Sequence, residues 1–143
     1  MPGRISARLA VIIEALPLHP GMRVLEIGCG PGAAARAVLN RIGDGHVLAI
    51  DRSAKAIALA KTGSRAELAT GRLEFRHVSV EDFMLEERER PYDLAFAVRV
   101  GALDGRHPEA ARVAVESIRK ALVKNGRLFI DGDPLKEVPL GVA

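Results

Sequence analysis

Residues 24–32 read Val-Leu-Glu-Ile-Gly-Cys-Gly-Pro-Gly, a short apolar run that stops in three closely spaced glycines. A run of helix formers, residues 33–42, follows at once. Strand, bare loop, helix is the one local order in which backbone without side chains comes close to a ligand at a helix start. Few chains can satisfy it outside an α/β sheet.

The rest of the chain repeats that alternation. The leading stretch, residues 5–16, carries Leu9, Ile12, Ile13 and Leu16 at helical spacing before Pro17 and Pro20. Residues 46–50 form a second apolar strand run, and Ser53 caps a helix that carries Ile57 and Leu59. Ser64 and Glu67 have capping-box spacing for a short helix to about residue 70. Residues 73–78 and 92–98 are strands three and four, separated by a mixed-charge run, 81–90, read as a solvated face or loop. Pro108 opens a helix that Asn125 and Gly126 end, and residues 127–131 are strand five. Helices between strands of one sheet require parallel crossovers, so the expected fold class is α/β, doubly wound and Rossmann-like, with strand order 3-2-1-4-5.

With 143 residues there is material for a single domain spanning 1–143. Hydrophobic residues at 48% and charged residues at 27% fit a folded soluble chain, not a disordered or membrane-spanning one. The net charge of +3 and an aromatic content of 3% neither demand nucleic acid nor supply a stacking surface for it. Cys29 is the single cysteine, so no internal disulfide is available and a cytoplasmic location is expected. Arg8 and Glu14 interrupt the apolar amino end, which excludes a membrane span there. The four histidines are scattered without ligand spacing, so no metal is expected.

Asp51 stands nineteen residues beyond Gly32, at the end of strand two, where a carboxylate can accept from both hydroxyls of a ribose. Gly28, Gly30 and Ala33 also satisfy the dinucleotide pattern, so a nicotinamide or flavin dinucleotide is an alternative, with Arg52 placed to meet a 2′-phosphate. Glu26 separates the readings. Its carboxylate, two residues before the first glycine, repels a pyrophosphate and favours a ligand with a cationic end, such as S-adenosylmethionine. A purely structural turn, with Asp51 as a helix cap, is the plain alternative. Cys29 reads as a small loop residue, since no base beside it is visible.

Through residues 26–32 (Glu-Ile-Gly-Cys-Gly-Pro-Gly), Asp51 and the strand at 92–97, the sequence resembles the class I S-adenosylmethionine-dependent methyltransferases. The resemblance implies methyl transfer to an acceptor, small or macromolecular, which the sequence does not identify. It assigns Glu26, Gly28, Gly30 and Gly32 to the cofactor's methionine part and Asp51 to its ribose, with Cys29, Arg52 and Val98 as further lining. Ser79 stands where the family often carries an acidic residue for adenine; Val80 is then expected against the adenine, with Glu81 or Asp82 at its polar edge. Acceptor contacts are expected after strands four and five, from Arg99, Asp104 and His107, the last a candidate base. The loop 97–105 lacks the Asn-Pro-Pro-Tyr signature linked to methylation of exocyclic base nitrogens. A binding module without turnover is the alternative within the family.

The carboxyl end departs from the family. Residues 132–143, with Pro134 and Pro139, are too few for the usual helix and antiparallel hairpin. The hairpin is therefore expected to be missing, strand five to be an open edge, and a homodimer to cover it.

Overall fold

The computed structural model describes residues 5–103, 106–131 and 133–139, the last of these as backbone. Elements run α1 (Ala7–Ala15), β1 (Arg23–Ile27), α2 (Ala33–Leu39), β2 (His46–Asp51), α3 (Ala54–Gly63), α4 (Arg65–Ala69), β3 (Leu73–His77), β4 (Tyr92–Ala97), α5 (Pro108–Ala121), β5 (Leu122–Ile130) and β6 (Asp133–Pro139). The sheet order is β3-β2-β1-β4-β5-β6. The first five strands are parallel, in the order the alternation predicts.

β1 is central, and all but its first residue is buried, as a parallel strand covered on both faces requires. One apolar layer packs α1, α2 and α3 on β1 and β2 through Ile13, Val38, Ile42, Val47 and Ile57. The other packs α5 on the opposite face through Leu25, Leu48, Ala114, Ile118 and Leu128. Burying an aliphatic side chain of this kind contributes roughly 1.5–3 kcal/mol, so the two layers fix where the strand ends lie. The order reverses between β1 and β4, whose carboxyl ends diverge and open a crevice.

Several local expectations change. Ser6 caps α1, accepting from the Leu9 N–H at 3.1 Å, and Ser53 caps α3, accepting from Ala56 at 3.1 Å. Ile57 is buried, but Leu59 is turned to solvent. Ser64 makes no capping bond; its hydroxyl is buried and accepts instead from Arg36 Nη1 at 2.8 Å. The helix predicted to end at Asn125 and Gly126 ends at Ala121 and passes directly into β5. Asn125, at φ 71°, lies where the β4–β5 register shifts between Tyr92 and Leu94, so the Asn-Gly pair makes an irregularity inside a strand. The charged run is not wholly solvated. Glu89 accepts from the Tyr92 hydroxyl at 2.6 Å and from Arg76 Nη1 at 3.2 Å. Burial works against its ionisation, yet these donors hold its carboxyl below the ordinary value.

The carboxyl end needs a correction. Among the described residues the family's further helix and paired strands do not follow β5, but β6 does, antiparallel to it, with Leu128 opposite Val138 and Ile130 opposite Asp133. Asp131 is in a turn between the two strands, and prolines are tolerated because an edge strand needs only one of its two rows of hydrogen bonds. β5 is therefore not an open edge, and the reason for expecting a homodimer falls away. No described helix is long and apolar enough to cross a membrane.

Candidate cofactor and acceptor site

At the carboxyl ends of β1, β2 and β4 two cavities lie on either side of the glycine loop. The larger, about 530 Å³, is bordered by Gly28, Gly30, Asp51, Ser79, Val80 and Arg99. Arg52, Glu81 and His107 also reach it. The smaller, about 270 Å³, is bordered by Arg8, Ile12, Glu26, Cys29, Val98 and Arg99. Gly28, Gly30 and Arg99 belong to both.

The loop is held from β2. Gly28 and Cys29 donate their N–H groups to the Ile50 carbonyl at 2.9 and 3.0 Å. Asp51 takes the next bond, its Oδ2 accepting from Gly30 N–H at 2.9 Å, while Oδ1 accepts from Ser53 N–H at 2.9 Å. A carboxylate oxygen accepts more than one hydrogen bond, so both still have capacity toward the larger cavity. Gly30 is in the left-handed region at φ 52°, and a Cβ there would meet nothing within 4 Å: its emptiness faces the cavities. Gly32 differs. At φ 91°, a Cβ on it would stand 3.0 Å from Arg36 Nη1 and 3.0 Å from Phe75, so it faces inward and borders neither cavity.

Glu26, on the last turn of the pleat in β1, is 3% exposed, and its Oε1 has no hydrogen-bond partner. Burial, then the Asp51 charge, push its carboxyl up from 4.5 to about 8, with Arg36 opposing. The sequence predicts a standing anion at this position; burial instead favours the protonated acid at neutral pH. A positive charge placed beside it would favour its ionised form. Burial and the Glu26 and Asp51 carboxyls push the Cys29 thiol upward, so it stays protonated and is no nucleophile.

Other expected residues separate. Val80 is buried and starts a single 3-10 turn, Val80–Asp82. Ser79 Oγ donates to Asp82 Oδ2 at 3.0 Å, so Asp82 is occupied locally and Glu81 is the acid that borders the cavity. His107 precedes α5, makes no capping bond and borders only the larger cavity. Asp104 lies outside the described residues. Arg8 was missed: read only as an interruption of an apolar stretch, it is one turn before Ile12 on α1, and that spacing of four was the signal that both share a face. Arg36 was missed too. Its side chain is buried behind the loop, donating from Nη1 to the Pro31 carbonyl at 3.1 Å and to Ser64, with Nε unpartnered.

A methyltransferase-domain family model matches residues 24–126, from β1 and the glycine loop through β2, β3 and β4 into the first half of β5. The chain belongs to the class I S-adenosylmethionine-dependent methyltransferases. Within this family it is 38% identical over 126 residues to a protein-L-isoaspartate O-methyltransferase of Methylorubrum populi, covering 88% of this chain and 52% of that one. The chain spans about half the length of the curated relatives of that name. A methyltransferase from Thiobacillus denitrificans, solved with S-adenosylhomocysteine, shares the fold at a TM-score of 0.66 and 22% identity, over 90% of this chain and 48% of that one. A cyclopropane synthase from Mycobacterium tuberculosis superposes at 0.68 and 26% identity, over 87% and 41%. Membership in this methyltransferase family sets aside the dinucleotide reading. Its cofactor is S-adenosylmethionine.

Proposed function

We propose that this chain binds S-adenosylmethionine across the glycine loop and transfers its methyl group to an acceptor at the seam between the two cavities. The observation that carries this reading is Glu26, whose buried and unpartnered Oε1 borders a cavity beside an open glycine. A buried acid without a partner is costly unless something occupies its site, and a cationic amino-acid end fits that need. The cofactor supplies a methyl group on a sulfonium, a leaving group that needs no activation.

The chain's own residues do the rest. Asp51 orients the ribose through its free lone pairs, and Val80 and Glu81 border the adenine end. Glu26 takes the ammonium, and Arg8, which lines the same cavity, is placed for the carboxylate of the same amino-acid group. Gly30, where a Cβ would meet nothing within 4 Å, lets the ligand lie against backbone. Fixing donor and acceptor in line supplies roughly 7 to 11 kcal/mol of the barrier reduction, so positioning alone carries much of the catalysis.

Calorimetric titration with S-adenosylmethionine, S-adenosylhomocysteine, NAD and NADP tests the assignment. Binding of the two adenosyl amino acids with neither dinucleotide is expected; a dinucleotide preference overturns it. Transfer of a labelled methyl group separates an enzyme from a module that only binds.

A further inference from the structure

Arg36 lies in α2 behind the glycine loop, buried and bordering neither cavity. Its hydrogen-bond partners are neutral, the Pro31 carbonyl at 3.1 Å and the Ser64 hydroxyl at 2.8 Å, and its Nε has none. Two glycines leave it room: a Cβ on Gly32 or on Gly63 would stand 3.0 or 3.2 Å from its Nη1. A buried cation held only by neutral groups is costly, so what it faces matters.

The pleat of β1 turns Glu26 toward the same layer. Leu25 and Ile27 point into the layer under α5 and Val24 into the one under α1, α2 and α3, so Glu26, alternating with them, faces the helices that include α2. In the register Glu26 lies opposite Ala49, and Ala49 opposite Phe75. The Phe75 ring and Arg36 Nη1 each stand 3.0 Å from one point, the place a Cβ on Gly32 would take. The guanidinium is thus beside one end of a row of three residues whose other end is Glu26, with the small side chain of Ala49 between. Glu26 Oε1 and Arg36 Nε are also the two buried side-chain atoms without a hydrogen-bond partner among the described residues.

We propose that Arg36 is a positioning residue for the cofactor's amino-acid end: its charge, held behind the loop, acts through Glu26 and lets that carboxyl ionise against the ammonium in front of it. The inference rests on the cofactor assignment made above. The groups around Glu26 divide. Burial and the Asp51 carboxylate at the end of β2 hold it protonated, and Arg36 works against both. The Cys29 thiol stays neutral, and β4 sets apolar Phe96 opposite Glu26. Arg8 of α1 and Arg99, whose N–H donates to Asp131 Oδ1 at 2.7 Å, border the smaller cavity but are exposed, so water and salt screen them. Arg36 is the buried cation, and its field is not screened in that way.

The test follows binding of S-adenosylhomocysteine to the full chain by calorimetry from pH 6 to 8.5, beside 5′-methylthioadenosine, which keeps the nucleoside and has no amino-acid end. In wild type, affinity for S-adenosylhomocysteine should rise toward pH 8. Removing a positive charge makes the acid harder to ionise, so in Arg36→Met that rise should be displaced above pH 8, with binding about tenfold weaker at pH 7. Methylthioadenosine should lose less than threefold. In a Glu26→Gln background the same substitution should cost S-adenosylhomocysteine less than threefold, because no acid is left to ionise. Arg36→Gln, which also removes the charge but keeps an N–H donor, gives the same reading should the methionine variant not fold. Equal losses for the two ligands, an unmoved pH midpoint, or a tenfold loss that persists in the Glu26→Gln background makes Arg36 a support of the loop alone and overturns the proposal while the cofactor assignment stands. Failure of wild type to bind S-adenosylhomocysteine overturns both.

Discussion

Asp51 holds Gly30 by a 2.9 Å hydrogen bond from the glycine's N–H, so the residue assigned to the ribose also fixes the loop that the rest of the ligand must lie against. Removing that carboxylate disturbs both at once. Asp51→Ala should weaken S-adenosylhomocysteine by about 1.5 to 3 kcal/mol, the range for hydrogen bonds to a charged group, as read by calorimetry. Asp51→Asn should recover little, because an amide nitrogen facing either the Gly30 or the Ser53 N–H sets donor against donor.

Glu26 makes stability and binding depend on pH in opposite directions. Its folded value, about 8, is above the ordinary 4.5, so the folded state prefers the protonated acid. Folding is least penalised below pH 4.5, and the penalty grows as pH rises toward 8, reaching on the order of a few kcal/mol. A cationic ligand prefers the ionised acid, so affinity for S-adenosylmethionine should rise from pH 6 to about 8. Glu26→Gln should melt higher than wild type at pH 8 and bind more weakly, with that pH dependence gone. An unchanged slope would place the ligand's cation elsewhere.

Arg36 is a buried cation with one good side-chain partner, the Ser64 hydroxyl. Ser64→Ala leaves its Nη1 with the Pro31 carbonyl alone and should cost about 1 to 3 kcal/mol in urea unfolding, the penalty for stripping a partner from a buried polar group. Since Pro31 belongs to the glycine loop, cofactor affinity should fall as well, although Ser64 borders neither cavity.

Gly30 and Gly32 should fail differently. Both have positive φ, so alanine costs about 1 to 2 kcal/mol of backbone strain at either. Gly32→Ala also drives a methyl group against Arg36 and Phe75 and should lose more stability. Gly30→Ala meets no atom within 4 Å, so its extra loss should appear in affinity. Paired urea and calorimetric measurements separate the two.

These contrasts mark what could be read in the sequence. Strand order, the glycine loop and Asp51 were legible because period, punctuation and spacing are local. What was not legible depended on partners distant in the chain. Ser64 has the spacing of a cap, but Arg36, 28 residues earlier, claims its hydroxyl. Asn125 and Gly126 have the chemistry of a helix end, but pairing of Leu122 with Tyr92 already starts the strand. Glu89 sits in a solvated-looking charge run, but Tyr92 and Arg76 draw it inward. Arg99 was named for its loop; its conformation came only with Asp131, 32 residues on.

β6 lies along the amides and carbonyls of β5. Any other chain seeking that row would have to displace β6, so a variant loosened at Asp131 is the form in which intermolecular strand exchange should first be looked for.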